Sequence, residues 1–227
     1  MSIAATIDHT LLRPEAPRPV IHRLVAEAIE HGFASVCVNG RFVADVAKML
    51  QGTGVQACAV VDFPLGAAEV AAKAQEAAHI VRYGAGEIDF VSHLPPLMRR
   101  DLAAAREEWT SVVKAARAVS HDVCVKVIIE SALLIREVSA DEGEARIATA
   151  CEAAKSSGCD FVKTSTGFHP AGGATTDAVR WMKQHAGGLR VKASGGIRTR
   201  ADAVGMLAVG ADRLGTSSGV SILRGET

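Results

Sequence analysis

Asp160-Phe161-Val162-Lys163-Thr164-Ser165-Thr166-Gly167 is a short apolar run that ends in small polar residues and a glycine. That is the pattern of a buried strand, residues 161–164, running into a turn. Lys163 sits near the strand's C-terminal end. Leu189-Arg190-Val191-Lys192-Ala193-Ser194-Gly195-Gly196 repeats the pattern, with Lys192 placed 29 residues after Lys163. As consecutive parallel strands, the two runs point both ammonium groups into the same small space. Like charges held close favour loss of a proton from one lysine, and the free amine that results is a nucleophile for carbonyl carbon.

Outward from this pair the chain alternates strand and helix throughout. Strands are expected over 5–8, 34–38, 55–61, 87–91, 123–129, 161–164, around Lys192, and over 213–215. Between them, Ile21, Leu24, Val25, Ala28 and Ile29 mark one face of a helix that starts near Pro19 and stops at Gly32. Further helices are expected over 43–52, 67–83 and 97–119. Another runs from a Ser139 cap to Gly158, one starts at Thr175 or Thr176, one covers 201–209, and a final helical turn begins at 217–219. Strands alternating with helices must be parallel, because each helix carries the chain back across the sheet. Eight such units in 227 residues fit one α/β domain, a (β/α)8 TIM barrel over 1–227. A doubly wound open sheet is the rival, and the lack of GxGxxG after the first strand counts against it.

Composition narrows the function. Lys plus Arg equal Asp plus Glu at 25 each, so neither a nucleic-acid footprint nor a polybasic membrane patch is indicated. Aromatics at 4% argue against a stacking platform for single strands. Five cysteines without CxxC spacing read as reduced thiols of a cytoplasmic protein, with no disulfide framework or zinc site. The N-terminus shows no signal-peptide pattern, and no stretch is long and apolar enough to span a membrane. Eight histidines form neither HxH nor HExxH, which disfavours a metal-dependent mechanism.

A barrel of this type carries its site where strands end. The polar residues there are Asp8, Thr10, Cys37, Asn39, Asp62, Asp89, Lys126, Glu130, Lys163, Thr166, Lys192 and Ser194. Lysine is rarely buried without reason, and the bland alternative is a structural ion pair such as Asp89 with Lys126. Two ammonium groups about 6 Å apart, in an effective dielectric of about 20, repel by roughly 3 kcal/mol. That is about two pKa units, enough to bring one lysine from near 10.4 to roughly 8. Either lysine could be the nucleophile on this ground. Ser194-Gly195-Gly196-Ile197 and Gly215-Thr216-Ser217-Ser218 follow the last two strands, where barrels often hold a phosphate on backbone N–H groups. Gly172-Gly173 reads as a flexible approach to the next helix. Cys37, taken alone, is a small core residue.

Ile7-Asp8-His9-Thr10-Leu11-Leu12, Ser35-Val36-Cys37-Val38-Asn39, Phe63-Pro64-Leu65-Gly66, Glu87-Ile88-Asp89 and Lys126-Val127-Ile128-Ile129-Glu130 occur in that order. Lys163-Thr164-Ser165-Thr166-Gly167-Phe168 and Lys192-Ala193-Ser194-Gly195-Gly196-Ile197-Arg198-Thr199 follow them. Together these motifs, spanning nearly the whole chain, resemble the deoxyribose-phosphate aldolase family. The resemblance implies a metal-independent class I aldolase without cofactor, acting on a sugar phosphate and an aldehyde. It implies that Lys163 is the Schiff-base lysine, Lys192 its pKa-lowering and proton-relaying neighbour, and Asp89 the proton donor and acceptor. Asp8 and Lys126 become supporting members of the polar network, with Cys37 and Thr166 as lining. Gly167, Gly195, Gly196, Gly215, Ser217 and Ser218 become the phosphate site. Members often pair, so a homodimer is expected.

Three segments depart from the family pattern: Asp62 replaces its usual glycine, Ser92-His93-Leu94-Pro95-Pro96 follows Asp89, and Ser131-Ala132 replaces a common Thr-Cys. The first two imply an altered pocket and acceptor preference. The C-terminal tyrosine tail that assists proton transfer in some members does not appear before Thr227, and water relayed by Asp89 and Lys192 is expected in its place. A phosphosugar isomerase or epimerase barrel using Asp89 as base is the other reading of the same residues, with a related Schiff-base aldolase and a silent sugar-phosphate-binding barrel beside it.

Overall fold

Eight short apolar runs meet as parallel strands and close on themselves in the order β1 to β8. The computed structural model describes residues 2–225; Met1, Glu226 and Thr227, the outermost residues of the expected 1–227 domain, lie outside the described residues. The strands are β1 (Ile7–Leu11), β2 (Ser35–Asn39), β3 (Gln56–Val61), β4 (Glu87–Val91), β5 (Cys124–Ile128), β6 (Phe161–Lys163), β7 (Arg190–Ser194) and β8 (Arg213–Thr216). Closure through β1 and β8 removes both sheet edges, and it excludes the open doubly wound alternative.

The helices on the outside are α1 (Arg18–His31), α2 (Val43–Met49), α3 (Val70–Arg82), α4 (Leu94–Met98) and α5 (Leu102–Val119). After them come α6 (Ser131–Leu134), α7 (Ala140–Ser157), α8 (Thr176–His185), α9 (Arg200–Ala208) and α10 (Gly219–Arg224). Each long one turns its apolar stripe to the barrel: α5 buries Ala105, Trp109, Val112, Val113 and Ala116. Trp109 is fully buried edge-on to Phe90 of β4 and donates its indole N–H to Ser92 Oγ at 3.1 Å. Thr199 and Asp202 form a reciprocal capping box at the start of α9.

Local chemistry moves several expected boundaries. Ala4–Thr6 form a 3-10 turn, so β1 starts at Ile7 and Asp8 lies inside the strand. The helix expected over 97–119 is two helices. Pro95 lies in the first turn of α4, Arg100 takes a left-handed φ of 56°, and the Asp101 carboxylate restarts the chain as α5 by accepting the Ala104 N–H at 3.0 Å. The helix expected from 67 begins at Val70, because the preceding residues belong to a loop knotted by Asp62. Asp62 has a φ of 48°, a region glycine enters freely and other residues rarely do. Its carboxylate offsets that strain by accepting the Ala68 N–H and pairing with the buried Lys73 ammonium, both at 3.0 Å. Helix α6 was not expected; four residues carry no legible period.

Candidate active site

Strand register places the charged residues. Lys163 lies opposite Lys192 on β6 and β7, and Asp89 opposite Lys126 on β4 and β5. Side chains alternate along a strand, so residues two apart share a face. Asp89 therefore brings Glu87 into the barrel with it.

Asp89 is the centre. Its Oδ2 accepts from both Lys163 Nζ and Lys192 Nζ at 2.7 Å, and its Oδ1 accepts from Lys126 Nζ at 2.9 Å. The two lysines expected to meet are thus no farther apart than twice 2.7 Å, with one carboxylate oxygen between them. The negative charge on that oxygen offsets part of the repulsion between the two ammonium groups. Lys192 also pairs with Asp8, Lys126 with Glu87 at 2.6 Å, and Arg213 with both Asp8 and Glu87. The ion pair between Asp89 and Lys126, the bland alternative, is present as part of the same network.

Burial alone would push the Asp89 carboxyl up, but the ammonium groups of Lys126, Lys163 and Lys192 outweigh it and hold the group well below the usual carboxylate range. Burial likewise opposes ionisation of Asp8, and Lys192 and Arg213 win there. For Lys192, burial favours the neutral amine, yet Asp8 and Asp89 hold its ammonium well above the ordinary lysine value.

Four cations, Lys126, Lys163, Lys192 and Arg213, face three carboxylates, Asp8, Glu87 and Asp89. Lys163 touches one carboxylate, whereas each of the other three cations touches two. Lys163 is thus the least-paired cation of the network. Lys163 is also the one network member that lines the cavity at the C-terminal mouth of the barrel, about 300 Å³ in volume. The charge argument alone leaves the two lysines equivalent, and the family resemblance implies Lys163; position in the barrel separates them.

Thr166, Gly167, Gly195, Gly196, Gly215 and Ser217 line that cavity. Ser218, also expected there, is next to the lining Ser217, and its N–H goes to Thr216 Oγ1 at 2.9 Å. Cys37 does not line the cavity. It is fully buried opposite Cys58 on the neighbouring strand, as the reading of a small core residue has it. Asp8, Asp89, Lys126 and Lys192 lie beneath the floor, each fully buried. Gly167, Gly196 and Ser217 donate no backbone hydrogen bond to any described residue, so the wall offers spare N–H groups to an anion. Gly172-Gly173 is no flexible approach: a Cβ on Gly173 would come within 2.3 Å of Gly195 O, so the glycine lets one loop rest on the other.

Glu87, Arg213, Arg13, Phe168 and Arg198 were not singled out as site residues in the sequence. Glu87 was within reach through the two-residue strand period. Arg13, Phe168 and Arg198 line the cavity from loops, where no period exists to read. Among the described residues no carboxylate lines it, and Arg13, Lys163 and Arg198 make that lining cationic. Phe168 meets Phe63 edge-on, ring centroids 5.2 Å apart, at the rim.

Cys37, Cys58 and Asp89 hold three potential metal-ligating atoms within 4.8 Å, the one such group among the described residues. Both Asp89 oxygens are already taken by ammonium groups, and three cations beside them would repel a fourth. The donor set does not fit a cation.

A closed parallel barrel with one amine at the floor of a cationic mouth defines an enzyme of carbonyl carbon. Residues 4–226 match the family model described as DeoC/LacD family aldolase, and the chain belongs to that family. It is similar to the deoxyribose-phosphate aldolase of Thermoanaerobacter sp. strain X514, 45% identical over 98% of this chain and 96% of that one. It is also similar to that of Carboxydothermus hydrogenoformans, 47% identical over 98% and 94%. Among solved structures, a deoxyribose phosphate aldolase from Aeropyrum pernix, described as tetrameric, superposes with a TM-score of 0.86 at 34% identity, covering 98% of this chain and 89% of that one. Membership makes the chain a carbon–carbon lyase. No helix among the described residues is long and apolar enough to cross a membrane.

Proposed function

We propose that this chain is a class I aldolase that reversibly cleaves 2-deoxy-D-ribose 5-phosphate to acetaldehyde and D-glyceraldehyde 3-phosphate. The observation that carries the proposal is Lys163: one amine at the cavity floor, joined through one Asp89 oxygen to a buried partner lysine. The neutral Lys163 amine adds to the C1 aldehyde, water leaves, and an iminium forms. The iminium draws the C2–C3 electron pair as that bond breaks, and the C3 hydroxyl proton leaves through water to Asp89. The resulting enamine is protonated at C2 and hydrolysed, which releases acetaldehyde and restores the amine.

Asp89 is too well paired with cations to store a proton for long. Its Oδ2, shared by two ammonium groups, suits it to pass protons between Lys163 and Lys192. Asp8 and Lys126 hold Lys192 and Asp89 in place. Gly167, Gly195, Gly196, Gly215 and Ser217 take the phosphate, and Thr166 lines the sugar's path.

Residues 1–227 form one domain in this reading. A homodimer is one expected assembly, and the tetrameric relative makes four copies another; light scattering on the purified chain decides between them. Five unpaired cysteines fit a reducing cytoplasm.

The test is cleavage of 2-deoxyribose 5-phosphate followed by acetaldehyde release. Stoichiometric acetaldehyde supports the aldolase. Interconversion of the sugar phosphate without carbon–carbon cleavage supports an isomerase instead.

A further inference from the structure

Glu130 is an expensive residue to keep. It is 2% exposed, its backbone takes a φ of 48°, and its Oε2 has no hydrogen-bond partner among the described residues. Left-handed backbone on a residue with a long side chain, and a buried acid with one oxygen unpaired, both cost stability, and such costs gather at functional sites. The residue precedes helix α6, but its side chain makes no capping bond there. Its other oxygen does something else: Oε1 accepts the backbone N–H of Thr166, on the turn that follows Lys163.

That turn has a definite pattern. Thr166 N–H goes to Glu130, and Phe168 N–H goes to Thr166 Oγ1 at 3.1 Å. Gly167, between them, has a φ of 82°, lines the cavity, and donates its N–H to no described residue. The two flanking amides are tied down and the middle one is left spare. The same strand ends are joined a second time by Ser131 N–H to Thr164 O at 2.8 Å, which fixes the depth at which Glu130 enters.

We propose that Glu130 is a positioning residue that holds the 164–168 turn so that the Gly167 amide meets the phosphate of a phosphorylated substrate, making Glu130 a determinant of phosphate preference. It touches no reacting atom. Burial raises the Glu130 carboxyl above its ordinary value against the pull of the Thr166 N–H, and both the acid and the carboxylate keep an oxygen that can accept that bond. The proposal rests on the aldolase reading of the cavity, through the phosphorylated substrate it assumes.

Three variants test it. Glu130→Gly suits the positive φ and removes the side chain. Glu130→Asn also tolerates that φ and is too short to reach Thr166. Glu130→Gln keeps an acceptor oxygen at full length. Steady-state cleavage is measured with 2-deoxyribose 5-phosphate and with unphosphorylated 2-deoxyribose, together with borohydride trapping of acetaldehyde. The expected result for Glu130→Gly and Glu130→Asn is a KM about tenfold higher for the phosphorylated sugar, equivalent to about 1.4 kcal/mol. KM for the unphosphorylated sugar stays unchanged, trapping at Lys163 persists, and Glu130→Gln restores the wild-type KM. Either folded variant suffices for the comparison. An equal effect on both sugars, no effect on either, or a Glu130→Gln variant as impaired as Glu130→Asn overturns the proposal. Failure of the wild-type protein to trap acetaldehyde overturns the aldolase reading instead.

Discussion

Replacing Lys192 with methionine is the perturbation that most directly probes charge balance beneath the cavity. The substitution keeps much of the buried volume and removes one of four cations that face three carboxylates. Neither carboxylate it touched is orphaned: Asp8 keeps Arg213, and Asp89 keeps Lys126 and Lys163. With three cations against three carboxylates, the proton on Lys163 becomes part of the balance. The Lys163 and Lys192 nitrogens both sit 2.7 Å from Asp89 Oδ2. At a separation of about 5 Å and an effective dielectric of about 20, the lost repulsion is about 3 kcal/mol, or about two pH units. The sign is upward, because removing a like charge lets the ammonium keep its proton to higher pH. The assay is the initial rate of borohydride-trapped imine formation with acetaldehyde, measured across pH for wild type and Lys192→Met. A midpoint raised by about two pH units is expected. An unmoved or lowered midpoint refutes the reasoning.

Acid stability follows from the same carboxylates. Asp8 and Asp89 are held below the usual carboxylate range, so their stabilisation is complete above the unfolded value of about 4 and is lost as pH falls through their folded values. Circular dichroism should show wild-type stability falling steeply below pH 4. Asp8→Asn should lower neutral-pH stability and flatten that fall; an equally steep fall contradicts it. Gly195→Ala adds a Cβ 2.9 Å from Gly173 Cα at a φ of 90°, so the loop must shift. KM for the phosphorylated sugar should rise severalfold while unphosphorylated cleavage persists, and a KM unchanged for both sugars would count against the loop's role. A chelator should leave cleavage intact, since the Cys37, Cys58 and Asp89 group is held by ammonium groups; inhibition reversed by added metal would contradict this.

The barrel was legible because its elements are short and regular. Apolar stripes on α1 and α5, and strands ending in glycine or polar residues, gave eight units in the right order. The meeting of Lys163 and Lys192 was legible from spacing, since one helix returns the chain to the next strand. Residues that act from a distance were not legible. Arg213 opens β8, and its hold on Asp8 of β1 exists only because the barrel closes. Glu130 could be marked as polar at a strand end, but its bond to Thr166 depends on a left-handed backbone that sequence does not announce for glutamate. The break at Arg100 was hidden because the apolar period continues on both sides of it. Which residues after β8 face the cavity was not legible either: Gly215, Thr216 and Ser217 line it, while the Ser218 N–H turns to Thr216 Oγ1. Charge alone did not choose between the two lysines; the family resemblance implied Lys163, and the physical difference between them, depth, is supplied by the packed barrel.

Covalent trapping locates the reactive amine without depending on any variant. The purified protein is treated with acetaldehyde and sodium borohydride, digested, and its lysine peptides are mapped by mass. The account predicts an ethyl group on Lys163, with Lys126 and Lys192 unmodified. An ethyl group on Lys192 in place of Lys163, or no adduct on any buried lysine while cleavage proceeds, would contradict it.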